Sequence, residues 1–230
     1  MKSEKLTTWI PVDAMAASVP LPEGYRFERL ARQDIPDLIA FVTTWFPGIT
    51  VGSASCYTRE AFYESQTTLA GESETDVLVI VVKHGENIAA VICGERNREA
   101  LTLYASLAIV AGEHRGAQLG KTGVVLMELL ARHMNFGLIY GMATLKAPYM
   151  QSALEEAGWQ LIGITPGYDL ELIAPGVVKR VFEAVYAKVL VTEGNLLLPD
   201  RRNLTAKTRA FFDFLFSGAG ESVMSDPESA

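Results

Sequence analysis

Gly116 and Gly120 bracket a short loop, Arg115-Gly-Ala-Gln-Leu-Gly-Lys121, between an apolar run at 101–111 and an amphipathic run at 122–134. Strand, glycine-bearing loop and helix, in that order, build an anion site. The first amides of a helix have no intrahelical partner and lie at the positive end of its dipole, and glycine lets a ligand approach the backbone closely. The expected ligand is phosphorylated and sits on Gly116, Ala117, Gln118, Leu119, Gly120 and Lys121. Arg115 adds charge beside it, and a lysine in a first helical turn, as at Lys121, opposes the dipole unless an anion is present.

A nucleotide-hydrolase loop fits poorly. Such a loop places its first glycine where this chain has Arg115, and Gly116 stands one step too close to Gly120-Lys-Thr. It also wants an acidic residue closing a second apolar strand to hold magnesium, whereas 77–82 runs into Lys83-His84 and 138–145 carries no acid. The stretch Ala108-Ile-Val110, then Arg115-Gly-Ala-Gln118-Leu-Gly120, resembles the acyl-CoA signature Gln/Arg-x-x-Gly-x-Gly/Ala of the GNAT superfamily of N-acyltransferases, with Gln118 where the family has its middle glycine. Downstream order agrees: an apolar strand at 138–145, a helix at 148–157, and Gly158-Trp159 where the family usually has Gly-Phe.

The resemblance implies a mixed α/β fold, a twisted and mostly antiparallel sheet flanked by helices, with the cofactor in the cleft between the fourth and fifth strands. It implies acetyl-CoA or another acyl-CoA as cofactor, its pyrophosphate on the amides of residues 116–121. Ala108, Ile109 and Val110 would pair with the pantetheine arm as if it were a peptide, the Val110 amide facing the thioester carbonyl. A preorganised donor of that kind is worth about 3–4 kcal/mol. The acceptor amine, with a pKa near 10.4, needs help to lose its proton. The family's base position on the fourth strand matches Tyr104 and Ser106, which can order a water. Its usual acid position is Leu154 and its helix-starting asparagine is Ala147, so Tyr149 is the stand-in acid. Glu95, Tyr168, Asp169 and Glu171 are further candidates. The expected function is acyl, foremost acetyl, transfer to a primary amine on a small molecule or protein. The alternatives are a non-catalytic acyl-CoA-binding module and a longer acyl donor lined by Trp45-Phe46 or by the C-terminal aromatics.

Other elements must position those residues. Residues 1–22, with Pro11, Pro20 and Pro22, read as an extended arm ahead of an acyltransferase domain at 23–198. Tyr25-Arg-Phe-Glu-Arg-Leu30 alternates as a strand, and Asp34 caps a helix carrying Leu38, Phe41, Val42 and Trp45. A second helix is expected at 58–69. In the family these two helices shape the acceptor pocket. Runs 76–82 and 87–94 around His84-Gly-Glu86 form a hairpin, and 159–164 and 177–191 form two long strands around Pro166-Gly-Tyr-Asp169. A helix at 199–217 with four phenylalanines needs a partner surface, its own domain or a second subunit, and 218–230 is expected to be disordered.

The chain has 230 residues and a formal charge of −7, which argues against a nucleic-acid surface. No window approaches the roughly 18 apolar residues of a membrane span and the N-terminus lacks a signal-peptide core, so a cytoplasmic protein is expected. Cys56 and Cys93 make no disulfide framework, and His84, His114 and His133 share no metal-ligand spacing.

Overall fold

Apolar residues that alternate along a strand can serve two cores at once. The computed structural model describes residues 8–216, divided into two compact units that meet at Leu190 and Val191. The first is built on an eight-stranded sheet. Its strands are β1 (Tyr25–Arg29), β2 (Thr67–Thr68), β3 (Val77–His84), β4 (Asn87–Asn97), β5 (Thr102–Val110), β6 (Leu138–Thr144), β7 (Gln160–Ala174) and β8 (Val177–Val189). The order is β1-β3-β4-β5-β6-β8-β7, with β2 beside β3. All pairings are antiparallel except β2 with β3 and β5 with β6.

Helices cover both faces. Leu78, Ile80 and Val82 of β3 join Ile92 of β4 in one core with α1 (Val12–Ser18), α4 (Leu119–His133) and α5 (Tyr149–Glu156). Their neighbours Val79, Val81, Val91 and Cys93 join the other core with α2 (Ile35–Trp45) and α3 (Glu60–Gln66). A period of two sends adjacent residues to opposite faces, so both faces of these strands are apolar and the run reads as nearly continuous hydrophobe. Among the described residues no helix is long and apolar enough to cross a membrane.

Four local expectations are corrected. Residues 12–18 are helical, and Trp9, Ile10, Met15 and Val19 are buried, so the expected extended arm is part of a core. Two turns are too short for a helical period to register in sequence. Asp34 does not cap α2: it ends a preceding 3-10 turn and pairs with Lys83 at 3.2 Å. The helix expected over 58–69 ends at Gln66, and Thr67–Thr68 pair with β3. The turn between the last two strands falls at Pro175-Gly176, where Gly176 has φ +72, and Pro166 sits in an irregularity of β7 between Thr165 and Asp169. A proline without an N–H is tolerated there because β7 is an edge strand.

The second unit contains α6 (Ala206–Phe216), with Arg201 paired to Asp213 at 2.8 Å and Phe211 stacked on Phe214. The tail expected to be disordered at 218–230 lies outside the described residues, as do residues 1–7 of the arm.

Because Met15 is fully buried, Met15→Ala should lower unfolding stability by about 2–5 kcal/mol, read from the urea midpoint at unchanged m-value. A loss below about 0.5 kcal/mol would mean that the N-terminal segment is peripheral after all.

Candidate active site

One extra residue in β5 creates the cleft. Gly94 of β4 pairs with Ala105 and Cys93 pairs with Leu107, leaving Ser106 as a bulge. The insertion reverses which residues face which core. Before it, Leu103 and Ala105 belong with α1, α4 and α5; after it, Leu107 and Ile109 belong with α2 and α3, and Val110 takes the α4 side. A bulge bends its strand and raises local twist. Parallel pairing of β5 with β6 runs from Thr102 only to Ala105, opposite Gly141, although β6 continues to Thr144. Gly141 permits the close approach at that last pair, since a Cβ there would lie 3.2 Å from the Ala105 carbonyl oxygen.

Beyond Ala105 one backbone edge of β5 is therefore free. The Ala111 amide donates to the Ala89 carbonyl at 2.9 Å, on the β4 side. Amides alternate between strand edges, so Ile109 shares that side while the Val110 and Ala108 amides point to the open edge. The strand then enters a 3-10 turn, Gly112–Ala117, and α4. No side chain caps α4, so its first amides are available to an anion. Gln118 adopts φ +56, the left-handed conformation that glycine reaches freely and other residues reach at a cost. The family's glycine thus has a backbone reason, and Gln118 keeps the geometry without the glycine. A carboxylate meets Lys121: its Nζ lies 2.8 Å from Glu156, and both side chains are largely exposed. That pair explains a lysine at this end of the helix without a ligand, which corrects the dipole argument for it. Arg115 is exposed. His114 accepts or donates a hydrogen bond with the Tyr25 hydroxyl at 2.9 Å, tying the turn to β1.

A cavity of about 500 Å³ opens in the splay, lined from β5 by residues 104–108, from β6 by 141–144, and by Tyr57, Glu95, Leu154, Tyr168, Asp169, Glu171 and Glu183. Tyr104 and Ser106 both line it. Ser106 Oγ lies 2.8 Å from the hydroxyl of buried Tyr57, which in turn lies 3.4 Å from Glu95 Oε1. Tyr104 stacks on Tyr140 with ring centres 5.0 Å apart. Burial, with Tyr168, Glu183 and Glu95 nearby, pushes the Tyr104 phenol up, and burial does the same to Tyr57, so both keep their protons at neutral pH. Tyr149 is not with them. It is 77% exposed at the start of α5 and does not line the cavity, so the stand-in acid expected there is corrected. Leu154, at the family's acid position, offers an apolar wall instead.

Sequence reasoning missed Tyr57 and Glu183. Tyr57 lies in a 3-10 turn, Ser53–Thr58, whose small polar residues gave no period. Asp169 holds that turn, accepting from the Ser53 amide at 2.8 Å and hydroxyl at 2.7 Å. Burial alone would raise the Asp169 pKa, but these bonds and the Leu170 amide outweigh it and lower it. Glu183 was visible only as one polar position in an otherwise β-forming run.

Solved structures share this architecture. A GNAT-family acetyltransferase from Streptococcus pneumoniae superposes with TM-score 0.54 at 12% identity, covering 72% of this chain and 99% of its own. For yncA from Salmonella typhimurium, solved with acetyl-CoA as its cofactor, the values are 0.55, 13%, 78% and 99%. A variant of the spermidine N-acetyltransferase SpeG from Vibrio cholerae gives 0.56, 14%, 72% and 94%. No family model matches the sequence, and no curated protein does. The chain has the GNAT acetyltransferase fold, as the expected α/β architecture required.

The left-handed Gln118 gives a direct test of the loop. Gln118→Gly should raise stability by about 0.5–1 kcal/mol, since relief of the φ +56 strain exceeds glycine's added unfolded-state entropy. Denaturant melts in parallel with the parent read the difference, and a destabilised variant would contradict the assignment of strain.

Proposed function

We propose that this protein is an acyl-CoA-dependent N-acyltransferase that moves an acyl group, foremost acetyl, to a primary amine. The observation that carries this reading is the continuous backbone surface from the open edge of β5, with the Ala108 and Val110 amides, to the uncapped start of α4, beside a cavity large enough for a thioester and a small amine. The donor set suits an acyl-CoA. Amides at a helix start suit a pyrophosphate, an unpaired strand edge suits an amide-bearing pantetheine arm, and one amide at the cavity suits a carbonyl oxygen that gains charge. Glu156 competes for Lys121 only weakly, because an exposed pair is worth about 0–1 kcal/mol. A pyrophosphate can take the lysine over.

On this reading the acyl-CoA supplies an activated thioester, and the chain supplies everything else. Val110 polarises the carbonyl, Ser106 and Tyr57 hold a water or the amine, and Tyr104 remains protonated as donor to the departing sulfur. Acetyl-CoA as the cofactor of one similar structure and spermidine in the name of another support the same chemistry here. A second reading, an acyl-CoA-binding module without turnover, draws on Leu154 at the family's acid position and on the outward-facing Tyr149.

Calorimetric titration with acetyl-CoA and with CoA tests the donor site. Saturable binding is expected for the parent, and Gly120→Glu should abolish it by placing a carboxylate among the first amides of α4. Space is not the obstacle: a Cβ at Gly120 meets only Met150 Cε, at 4.0 Å. Absence of binding by the parent would remove the proposal. Tyr104→Phe should leave acetyl-CoA affinity within about twofold and lower kcat by about 10- to 100-fold in a thiol-release assay; binding without any turnover would favour the second reading.

A further inference from the structure

The cavity is lined by four carboxylates, Glu95, Asp169, Glu171 and Glu183, and among the described residues no lysine or arginine lines it. Three have work that is visible. Asp169 accepts from the Ser53 amide and hydroxyl and so closes the 53–58 turn onto β7. Glu171, almost fully buried, is bound by Lys146. Glu95 receives the Tyr57 hydroxyl, at a long 3.4 Å. Glu183 stands opposite Thr144 of β6, beyond the last β5–β6 pair at Gly141, and so lies in the splay itself. Among the described residues its carboxylate has no hydrogen-bond or ion-pair partner; its backbone pairs with Thr144 and Thr165, and its carbonyl also accepts from Thr165 Oγ1 at 3.2 Å.

Resting on the acyl-transfer reading, we propose that Glu183 is the group that seats the acceptor as a cation and takes its proton, with Glu95 as the second anionic wall, so that the acceptor class is a small alkylammonium. Tyr104, Tyr168, Asp169, Glu171 and Glu95 line the same cavity as Glu183; Asp169 and Glu171 act on it as like charges, its own charge acts on Tyr104, and Lys146 is held by Glu171. Burial and the like charges of Asp169 and Glu171 raise the Glu183 pKa, which brings its basicity towards that of a useful base. The step balances. The ammonium gives one proton to the Glu183 carboxylate, the freed nitrogen lone pair forms the C–N bond to the thioester carbon, and the C–S pair leaves on sulfur. The nitrogen's second proton ends on that sulfur, giving amide and thiol, and Glu183 returns its proton to solvent.

The test combines binding and turnover on the full chain. Acetyl-CoA affinity is measured by calorimetry, and thiol release is followed with propylamine, putrescine and benzylamine as cationic acceptors and glutamate as an anionic control. Glu183→Gln should bind acetyl-CoA within about twofold of the parent, lose about 100-fold or more in kcat, and lose the acidic limb of kcat/KM, which Glu183→Asp should restore in part. The sign follows from the role: Glu183 must be deprotonated, so parental activity rises with pH through its folded pKa. Glu171→Gln removes a like charge, lowers that pKa, and should move the limb to lower pH even if Glu183→Gln folds poorly. Retention of rate and limb in Glu183→Gln, an unmoved limb in Glu171→Gln, preference for glutamate, or acetyl-CoA binding with none of the three cations acetylated would each overturn the proposal. A parent that fails to bind acetyl-CoA would instead overturn the acyl-transfer reading beneath it.

Discussion

Everything in the candidate site depends on the single bulged residue of β5. A strand with strict period two would keep Tyr104, Ser106, Ala108 and Val110 on one face, and its neighbour β6 could pair with it to the end. The extra residue at Ser106 divides them: Tyr104 and Ser106 stay towards the α2 and α3 side, where Tyr57 reaches Ser106, and Val110 passes to the α4 side. One local irregularity therefore separates an acceptor-side wall from a donor-side wall. It also ends the pairing with β6 and leaves a row of backbone donors exposed, a liability in most proteins and, on the proposed reading, the binding surface here.

The charge around the cavity is arranged by the same economy of structure. Asp169 and Glu171 sit on β7, where they bind the 53–58 turn and Lys146, and their negative charge acts on Glu183 across the β7–β8 pair. Groups that hold the wall in shape thus also raise the basicity of Glu183, a further carboxylate of the cavity. Tyr104 and Tyr57 are buried, with Glu95 near both and Glu183 near Tyr104, and both phenols are pushed up and stay protonated at neutral pH. On the proposed reading, acid and base roles separate by environment.

Much of this order is legible in the sequence because the central elements are strongly patterned. The β3–β4 hairpin announces itself through two apolar runs around Gly85, and α4 through Val124, Met127, Leu130 and Ala131 at helical spacing. The Arg115 to Gly120 spacing located the turn into α4 even with Gln118 in a glycine's place. The bulge was not legible, since its signature is a register between β4 and β5 that no single strand carries. Nor was α1, whose burial depends on partners far along the chain, nor the extension of β7 past Pro166, which only an edge position tolerates. Glu183 and Tyr57 reach the cavity through convergence of β8 and the 53–58 turn, and Tyr149 fails to for the same reason in reverse. Its helix begins where expected but turns it outward.

On the proposed reading the donor half of the site is made of main chain, which is compatible with a loop whose motif is incomplete. Amides from Ala108, Val110 and the first turn of α4 are supplied by any residue but proline, so what those positions require is a conformation. At Gln118 that conformation is left-handed, and a non-glycine residue can hold it at a cost of roughly 1–2 kcal/mol when the strand and helix on either side are well packed. Leu119 and Ile109, both buried, are the anchors that fix those flanks. The acceptor half is made of side chains, where a change of residue type is a change of chemistry. On the proposed reading, Tyr57, Ser106, Glu95 and Glu183 carry the specificity, while the glycine signature records only one way of satisfying the backbone.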